Sequence, residues 1–326
     1  VDNFDWRNRH GRNWNTSVKT QINGTCWAYT TCGITEACTN LFFNRKIDPD
    51  LSEYSLVACT PFTCSGGGSV ALQYVSELGV VDQECFPNGN CNASCSDSCT
   101  SPNERIFSNG ITFLFPESYS DPELELKKHI IKYGPGFCYL RPLTHAMVFS
   151  GFGKINVNDT IVDTTSLYNN IIIQNGDNRI GKTYWILKNS WGIDWGYNGY
   201  FYLLADVSTR TMSTPAFLTM PMRSKRYYPF NILCEDRDGD GYYNWGLGNK
   251  PSTCPDCAPD DEDGDDSDPM VGPMDELGNL SPITPYIHQG TTIVGTEIWE
   301  DTVILCGNLT IENNSSLVIT NSGILV

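Results

Sequence analysis

The stretch Gln21-Ile22-Asn23-Gly24-Thr25-Cys26-Trp27-Ala28-Tyr29 delivers a cysteine from a polar, glycine-containing turn. Beyond Cys26, apolar residues recur at roughly helical spacing as far as Phe42, which predicts a buried helix that begins at the cysteine. The positive end of a helix dipole favours thiolate over thiol, and the amides of the first turn can hold a developing negative charge. The pattern therefore predicts a nucleophilic thiol at the start of a helix.

Two distant segments supply partners for this thiol. Thr144-His145-Ala146 opens an apolar run, and Asn189 follows the strand-like run Tyr184-Trp185-Ile186-Leu187-Lys188. His145 can take the proton of Cys26 and later give it to a leaving amine, while Asn189 holds the imidazole in one tautomer. A Cys, a His and an Asn on separate elements predict hydrolysis through a thiol nucleophile.

The order of these segments resembles that of the papain-like (cathepsin-type, C1 family) cysteine peptidases. The resemblance covers roughly residues 1–230, and residues 189–200 are similar to the asparagine motif of the family throughout. The other matching segments are Asp5-Trp6-Arg7, Val18-Lys19-Thr20-Gln21, Leu51-Ser52-Glu53-Tyr54 with the residues up to Cys59, and Cys64-Ser65-Gly66-Gly67.

The resemblance implies an α+β fold of two subdomains with a cleft between them. The left subdomain would be helical, with helices over 26–43, 51–59 and 69–78, and the right would be a twisted antiparallel sheet carrying His145 and Asn189. Gln21 would donate to the oxyanion, and Cys59 would form a disulfide with the loop 85–99. The substrate-binding residues implied by the resemblance are Gly24, Gly66, Gly67, Gly68, Thr144, Ala146 and Trp191.

The sequence also departs from the family pattern. The first cysteine of the C-G-[SA]-C-[WY] signature is absent and the turn before Cys26 is one residue shorter, so we expect Cys64 to have lost its usual disulfide partner. Gly68 stands where many relatives carry an aromatic wall. Residues 154–182 contain an insertion that predicts an added hairpin or flap over the right subdomain. These changes affect the shape of the subsites more than the chemistry.

Charge is distributed very unevenly along the 326 residues. Residues 1–230 carry 20 acidic and 19 basic side chains, whereas residues 235–276 carry 14 acidic and 2 basic ones. This balance fits protein or peptide substrates and makes nucleic acid an unsuitable partner. No apolar run reaches the length of a membrane span. Because the chain begins at Val1, we expect a targeting peptide and an inhibitory pro-segment in the precursor.

Fourteen cysteines indicate an oxidising compartment, and so a secreted or cell-surface protein. Setting Cys26 aside leaves an odd number, so at least one further thiol is free or pairs outside this chain. Asn23-Gly24-Thr25 is a glycosylation sequon in the predicted active-site turn. A glycan there would obstruct the cleft, which favours a bacterial source.

The segment Asp236-Arg237-Asp238-Gly239-Asp240-Gly241-Tyr242 spaces carboxylates two apart with glycines between them, a pattern that can fold its oxygens around one hard cation. Leu247 occupies the twelfth position, where an EF-hand needs an acid, so the EF-hand interpretation fails. The segment is similar to the calcium loops of thrombospondin type-3 repeats; the alternative is a disordered acidic linker. We expect structural calcium without a catalytic cofactor, on Asp236, Asp238, Asp240, Tyr242, Asp256, Asp261, Asp263, Asp265 and Asp268.

From residue 287 onward, short β-branched runs alternate with turn residues. The runs 291–295, 301–305, 309–311 and 317–319 predict strands of a β-solenoid or a sandwich. The chain therefore divides into a peptidase domain over 1–230, an acidic calcium-binding module over 231–280 and a β-rich segment over 281–326.

Three functions fit these features. The first is a secreted cysteine endopeptidase. The second is an exopeptidase or transpeptidase whose cleft is restricted by the 154–182 insertion. The third is a non-catalytic adhesin that only binds peptide, and the presence of Gln21, Cys26, His145 and Asn189 together weighs against it.

Overall fold

A computed structural model describes residues 1–226, 232–283, 286–288, 291–299, 303–305 and 308–320. The predicted boundary between the peptidase domain and the acidic module, at residues 230 and 231, lies outside these residues, as does the beginning of the run 301–305. The described helices are α1 (Cys26–Phe43), α2 (Glu53–Cys59), α3 (Ala71–Glu77) and α4 (Pro122–Tyr133). In the described part of the chain, none of the helices has the length and hydropathy required to cross a bilayer.

The central element is α1, which begins at Cys26 and ends at Phe43, as the sequence predicts. All its residues except Phe42 are buried, including four threonines, Glu36 and Asn40. Asn44 ends the helix in the left-handed conformation, and its backbone amide donates to the carbonyls of Asn40 and Leu41. The helix is thus capped at its C-terminus, and its first residue is Cys26.

Two short helices flank α1 in the left half of the domain. The predicted helix over 51–59 begins only at Glu53, because Ser52 is the N-cap and its Oγ accepts from the Ser55 amide at 3.0 Å. The predicted helix over 69–78 is also shorter than expected and spans Ala71–Glu77. Both helices contact α1.

The first twelve strands are β1 (Phe4–Asp5), β2 (Val80–Val81), β3 (Arg105–Phe107), β4 (Gly110–Phe113), β5 (Gly136–Leu140), β6 (His145–Lys154), β7 (Thr160–Asp163), β8 (Ser166–Ile172), β9 (Thr183–Lys188), β10 (Tyr200–Leu204), β11 (Ala216–Thr219) and β12 (Arg223–Ser224).

The right half is a nine-stranded sheet in the order β4-β11-β5-β6-β9-β10-β7-β8, with β1 beside β6. Its pairs are antiparallel except that β10 runs parallel to β7, so the sheet is mixed and the prediction of a purely antiparallel sheet is wrong. The parallel pair exists because the insertion places β7 against the later strand β10.

The insertion at 154–182 forms a hairpin, as predicted. Its strands β7 and β8 pair antiparallel and extend the edge of the sheet beyond β10. A small separate cluster of Ile155, Ile161 and Ile173 anchors the base of the hairpin. The hairpin is therefore a packed extension of the sheet.

The C-terminal strands are short and pair with nearby segments of the chain. They are β13 (Val271–Met274), β14 (Leu280–Pro282), β15 (Tyr286–His288), β16 (Thr291–Ile293), β17 (Thr296–Trp299), β18 (Val303–Leu305), β19 (Leu309–Ile311) and β20 (Ser316–Ile319). β13 and β14 form an antiparallel pair, whereas β15–β18, β16–β19 and β17–β20 pair in parallel.

Candidate active site

Cys26 is the first residue of α1 and is buried. The N-cap residue Thr25 makes no capping bond to the helix amides, because its Oγ1 donates to the Ile22 carbonyl at 2.5 Å. The first turn also lacks acidic side chains, so nothing in it offsets the positive end of the helix dipole. Burial raises the pKa of the Cys26 thiol, while hydrogen bonds from the amides of Ala146, Trp27 and Cys26 lower that pKa.

His145 is the first residue of β6 and follows a tight turn. Thr144 in that turn has φ of 46°, a left-handed conformation that is strained for a β-branched residue. The His145 Nε2 lies 2.7 Å from the Asn189 Oδ1. Burial lowers the pKa of His145, and the hydrogen bond to Asn189 partly opposes that shift. The next residue, Ala146, lies in the same buried cluster as Cys26, and β6 packs against α1, so β6 carries His145 toward the helix that begins at Cys26.

Asn189 lies directly after β9. Its backbone amide donates to the Gly199 carbonyl at 2.9 Å, and its side-chain Oδ1 also accepts from the Ser190 backbone amide at 2.8 Å. These bonds fix the side-chain oxygen toward His145. The Trp191 ring stacks on the His145 ring with centroids 4.6 Å apart, so it covers the imidazole beside the Asn189 contact.

Gln21 is held against the same loop from the other side of the site. Its backbone amide donates to the Ser190 carbonyl at 2.7 Å, and the Ser190 hydroxyl donates to the Gln21 side-chain Oε1 at 2.7 Å. The Gln21 Nε2 donates to the Asn23 carbonyl at 2.9 Å. The side-chain amide therefore lies over the turn that leads into Cys26, with its oxygen anchored and its nitrogen free to exchange one partner for another.

The glycine segment 66–68 is packed against the residue that follows Cys26. A Cβ on Gly67 would lie 2.4 Å from the Trp27 ring, so this position admits no side chain, whereas Gly66 and Gly68 face open space. The Trp27 Nε1 donates to the Thr63 carbonyl at 3.0 Å and fixes the same loop. The space beside Gly68, where many relatives carry an aromatic side chain, is therefore open, as the sequence predicts.

Disulfides tie this loop to its surroundings. Cys59 pairs with Cys95, which confirms the predicted bridge to the loop 85–99. Cys64 pairs with Cys91, so it is bridged to a different cysteine from the one that the signature would supply. The cysteine-rich loop supplies a substitute for the missing signature cysteine and reaches the active-site turn, where the Asn23 Nδ2 lies 3.3 Å from the Cys91 sulfur. The described residues also contain the disulfides Cys85–Cys99 and Cys234–Cys254, and Cys257 is disulfide-bonded as well.

Three further free thiols lie within the described residues, as the odd cysteine count predicts. Cys32, Cys38 and Cys138 are buried, and burial raises the pKa of each thiol, that of Cys38 to about 12. A thiol that is both inaccessible and protonated is a poor nucleophile. Among the described free cysteines, Cys26 alone lies at a helix N-terminus, and backbone hydrogen bonds there oppose the effect of burial on its pKa.

A buried ionic cluster, which was not predicted from the sequence, links α1 to α2. The Lys19 Nζ lies 2.9 Å from a carboxylate oxygen of Glu36 and 2.9 Å from one of Glu53. Both carboxylates are almost fully buried, and Lys188 is buried beside them. Burial lowers the pKa of Lys188 to about 8. The sequence signal was Glu36 within an otherwise apolar helix.

The acidic segment folds into two carboxylate groups that share Asp238. Asp236, Asp238 and Asp266 form one, and Asp238, Asp240 and Asp263 form the other; within each, one oxygen per residue lies within 4.8 Å of the others. Asp266 was absent from the predicted ligand set. The remaining predicted ligands lie outside these groups: Asp256, Asp261 and Asp268 are exposed, Asp265 is half-buried, and the Tyr242 side chain is buried without joining either group.

The second carboxylate group has the character of a cation site. Asp240 and Asp263 are each only 2% exposed, yet the Oδ2 of each has no hydrogen-bond partner. Burial raises the pKa of Asp240 to about 7 and that of Asp263 to about 9, with neighbouring aspartates adding to both shifts. A donor set of carboxylate oxygens suits a hard cation such as Ca²⁺ rather than zinc or copper.

Comparison with known proteins places this geometry in a family. The family profile described as "Papain family cysteine protease" matches residues 1–219. A cysteine protease of Blomia tropicalis is 27% identical over 62% of this chain and 60% of its own. A viral cathepsin of Cydia pomonella granulosis virus is 29% identical over 63% of this chain and 58% of its own.

Further relatives extend the same comparison. Cysteine proteinase 3 of Solanum lycopersicum is 31% identical over 55% of this chain and 49% of its own. The chain thus spans about 60% or less of these relatives, and their organisms lend no support to the expected bacterial source.

Solved structures agree on the fold. One comes from a study of antibody cross-reactivity between the mite allergens Blo t 1 and Der p 1, with a TM-score of 0.51, 22% identity and coverage of 68% of this chain and 71% of that one. Another is the proform of the ragweed pollen cysteine protease Amb a 11, with a TM-score of 0.50, 19% identity and coverage of 68% and 67%. The chain belongs to the papain family of cysteine proteases.

Proposed function

We propose that this protein is a secreted cysteine endopeptidase that cleaves peptide bonds through Cys26, His145, Asn189 and Gln21. The observation that carries the proposal is the convergence of α1 and β6. β6 packs against α1, Ala146 lies in the same buried cluster as Cys26, and the neighbouring His145 places its Nε2 2.7 Å from the Asn189 Oδ1. A thiol, a base and a residue that orients the base therefore share one site.

The reaction follows from these positions. His145 accepts the thiol proton, and the Cys26 sulfur attacks the carbonyl carbon of the substrate, whose oxygen becomes an oxyanion. The Gln21 Nε2 exchanges the Asn23 carbonyl for this oxyanion and donates to it together with the Cys26 amide. His145 returns the proton to the leaving amine as the carbon–nitrogen bond breaks. Water, deprotonated by His145, then hydrolyses the thioester and restores the thiol.

Labelling by an epoxide thiol inhibitor tests the nucleophile. Cys26→Ala should abolish both turnover and labelling, and Cys138→Ala, which removes a buried thiol, should keep both. Labelling that persists in Cys26→Ala would overturn the assignment. Mass spectrometry of the products from a peptide library separates the alternatives: internal cuts indicate an endopeptidase, trimmed ends an exopeptidase, new peptide bonds a transpeptidase, and no products a binding protein.

Secretion into an oxidising compartment is part of the same proposal. Disulfides lie at 59–95, 64–91, 85–99 and 234–254, a density that fits a secreted or cell-surface protein. A relative of known structure was solved in its proform, which supports an inhibitory pro-segment in the precursor of this chain as well.

We also propose that the acidic segment binds structural calcium, through Asp238, Asp240 and Asp263. The unpartnered buried carboxylate oxygens of Asp240 and Asp263 carry this second proposal. Leaving two such oxygens unpaired costs several kcal/mol, and a cation between them would remove that cost. Asp236 and Asp266 lie close enough to Asp238 to complete the shell or to hold a second ion.

Calorimetric titration of calcium into chelator-treated protein tests this proposal. Wild-type protein should take up calcium, and Asp240→Asn with Asp263→Asn should lose that uptake. The control is Asp256→Asn with Asp261→Asn, which changes two exposed aspartates of the same segment. Equal uptake by both double variants, or none by wild type, would contradict the site.

A further inference from the structure

The insertion hairpin places one exposed aromatic ring directly on the active-site tryptophan. Tyr168 of β8 stacks on Trp191 with centroids 5.7 Å apart and an interplanar angle of 11°. Its side chain is 73% exposed, which is unusual for a large ring with an ordered partner. Tyr168, Trp191 and His145 thus form a continuous stack that begins at the base of the site and ends at the surface.

The position of this stack fixes which half of a substrate it meets. His145 must lie beside the amine that leaves, because it protonates that nitrogen. The acyl half of the substrate therefore lies toward Gln21 and Gly67, and the half that leaves continues past His145 over Trp191. Tyr168 is the next ring along that direction. A substrate residue just beyond the scissile bond would contact it.

A groove opens beneath Tyr168 at the end of the stack. It has a volume of about 260 Å³, and half of its ten lining residues are aromatic. Trp195 in its wall packs edge-on against Trp191 with centroids 5.1 Å apart, so the groove adjoins the ring that covers His145. The aromatic members of the wall are Tyr168, Trp195, Tyr197, Phe201 and Tyr202. A space of this size holds one large apolar side chain.

We propose that Tyr168 and this groove form a specificity site for an aromatic or large aliphatic substrate residue on the carboxyl side of the scissile bond. The inference rests on the proposed peptidase function and adds the side-chain class of the leaving half. Offset stacking of a substrate ring on Tyr168, together with burial of its edge in the groove, supplies the selectivity. The hairpin thus extends the cleft at this end.

Quenched fluorescent peptides with one constant acyl half test the site. One series carries Phe, Leu, Ala or Gly after the scissile bond, and a short substrate carries only a small aryl amine as leaving group. Wild type should prefer Phe and Leu over Gly. Tyr168→Ala should reduce kcat/KM for the Phe peptide about three- to tenfold, the worth of one aromatic contact, and leave the short substrate within about twofold.

Two control variants keep the result interpretable. Tyr168→Phe retains the ring and should retain the preference. Ile172→Ala removes a side chain that is 59% exposed on the same strand and should change neither substrate. Equal losses on both substrates, or an unchanged preference in Tyr168→Ala, would overturn the specificity site while leaving the peptidase intact. Wild-type protein that cleaves neither substrate would overturn the proposed function itself.

Discussion

Gln21, the proposed oxyanion donor, is held in place by hydrogen bonds at both ends of its side-chain amide. Its oxygen is fixed by the Ser190 hydroxyl, and its Nε2 donates to the Asn23 carbonyl at 2.9 Å. Because Ser190 follows Asn189 directly, the loop that orients His145 also orients Gln21. The two halves of the site are therefore positioned by one turn.

Removal of the Gln21 side chain should act on the rate of turnover. Gln21→Ala takes away one oxyanion donor, and such losses typically lower kcat by about 10²–10³-fold. KM should change little, since the donor acts on charge that develops only in the transition state. Steady-state kinetics on one peptide would show this split, and an effect confined to KM would remove Gln21 from that role. Asn189→Ala should also lower kcat, by releasing His145.

Lys188 is a residue whose ionisation couples pH to stability. Burial depresses its pKa to about 8, against 10.5 in an unfolded chain. Below about pH 8 both states carry the proton, and the cost of burying the charge is fully present. Between the two pKa values only the unfolded chain keeps the proton, so the free energy of unfolding contributed by Lys188 rises with pH.

Comparison with Lys188→Met isolates this contribution from other titrating groups. Across pH 8 to 10.5 the stability of wild type should rise relative to that of the variant, by at most about 3 kcal/mol in all. Urea unfolding of both proteins at several pH values measures it. A difference that stays constant with pH would show that the Lys188 pKa is not depressed.

At the scale of elements, local patterns predicted what local forces decide. The start of α1, the run that His145 opens, the run that precedes Asn189 and the hairpin in the insertion were predictable because each lies within one stretch of sequence. The misses are long-range pairings: Cys64 with Cys91, Lys19 with Glu36 and Glu53, and β7 beside β10. No periodicity encodes which distant residue completes a pair.

The turn before Cys26 is a case in which two such elements constrain each other. A Cβ on Gly24 would lie 2.9 Å from the Cys64 carbonyl oxygen, and the Cys64–Cys91 disulfide keeps that backbone from moving away. The shortened turn therefore depends on glycine at this position. A methyl group there would displace the residues that lead to Cys26.

Gly24→Ala should accordingly lower kcat/KM by about 10–100-fold, because shifts of about 1 Å at a catalytic group have effects of this size. Gly110→Ala in β4 is the matched control, since a Cβ there lies outside the site and meets only the Thr219 Oγ1, at 3.4 Å. Kinetics on one substrate compare the two variants, with melting temperatures to exclude a general loss of folding. Comparable rates in both variants would refute the steric argument.

At the scale of the whole molecule, the acidic segment is joined to the peptidase by polar and apolar contacts. Arg12 pairs with Glu235 at 2.7 Å, and Arg237 pairs with Asp266 at 2.6 Å while also donating to the His10 carbonyl. Leu247 belongs to the same buried cluster as Leu41 of α1. The sequence suggested a separate module, because contacts across such distances leave no trace in composition.

We expect this attachment to couple the proposed calcium site to the stability of the catalytic half. If Ca²⁺ holds the carboxylates of Asp238, Asp240 and Asp263 together, its removal leaves buried like charges beside Asp266, the partner of Arg237. The strain would pass to the Arg237–His10 contact and to the packing of Leu247. A free calcium concentration of 100 times the dissociation constant adds about 2.7 kcal/mol to the free energy of unfolding. This corresponds to several degrees in melting temperature for a domain of this size.

Chelation should therefore lower the temperature at which peptidase activity is lost, together with the melting of the acidic segment. Well below that temperature, turnover of a small substrate should be unchanged, since no proposed calcium ligand belongs to the catalytic set. Activity assays after timed heating in chelator or in calcium measure the shift, and Asp240→Asn with Asp263→Asn should abolish the difference between the two conditions. Loss of activity at one temperature in both conditions, while calcium uptake persists, would show that the segment binds its ion without supporting the peptidase.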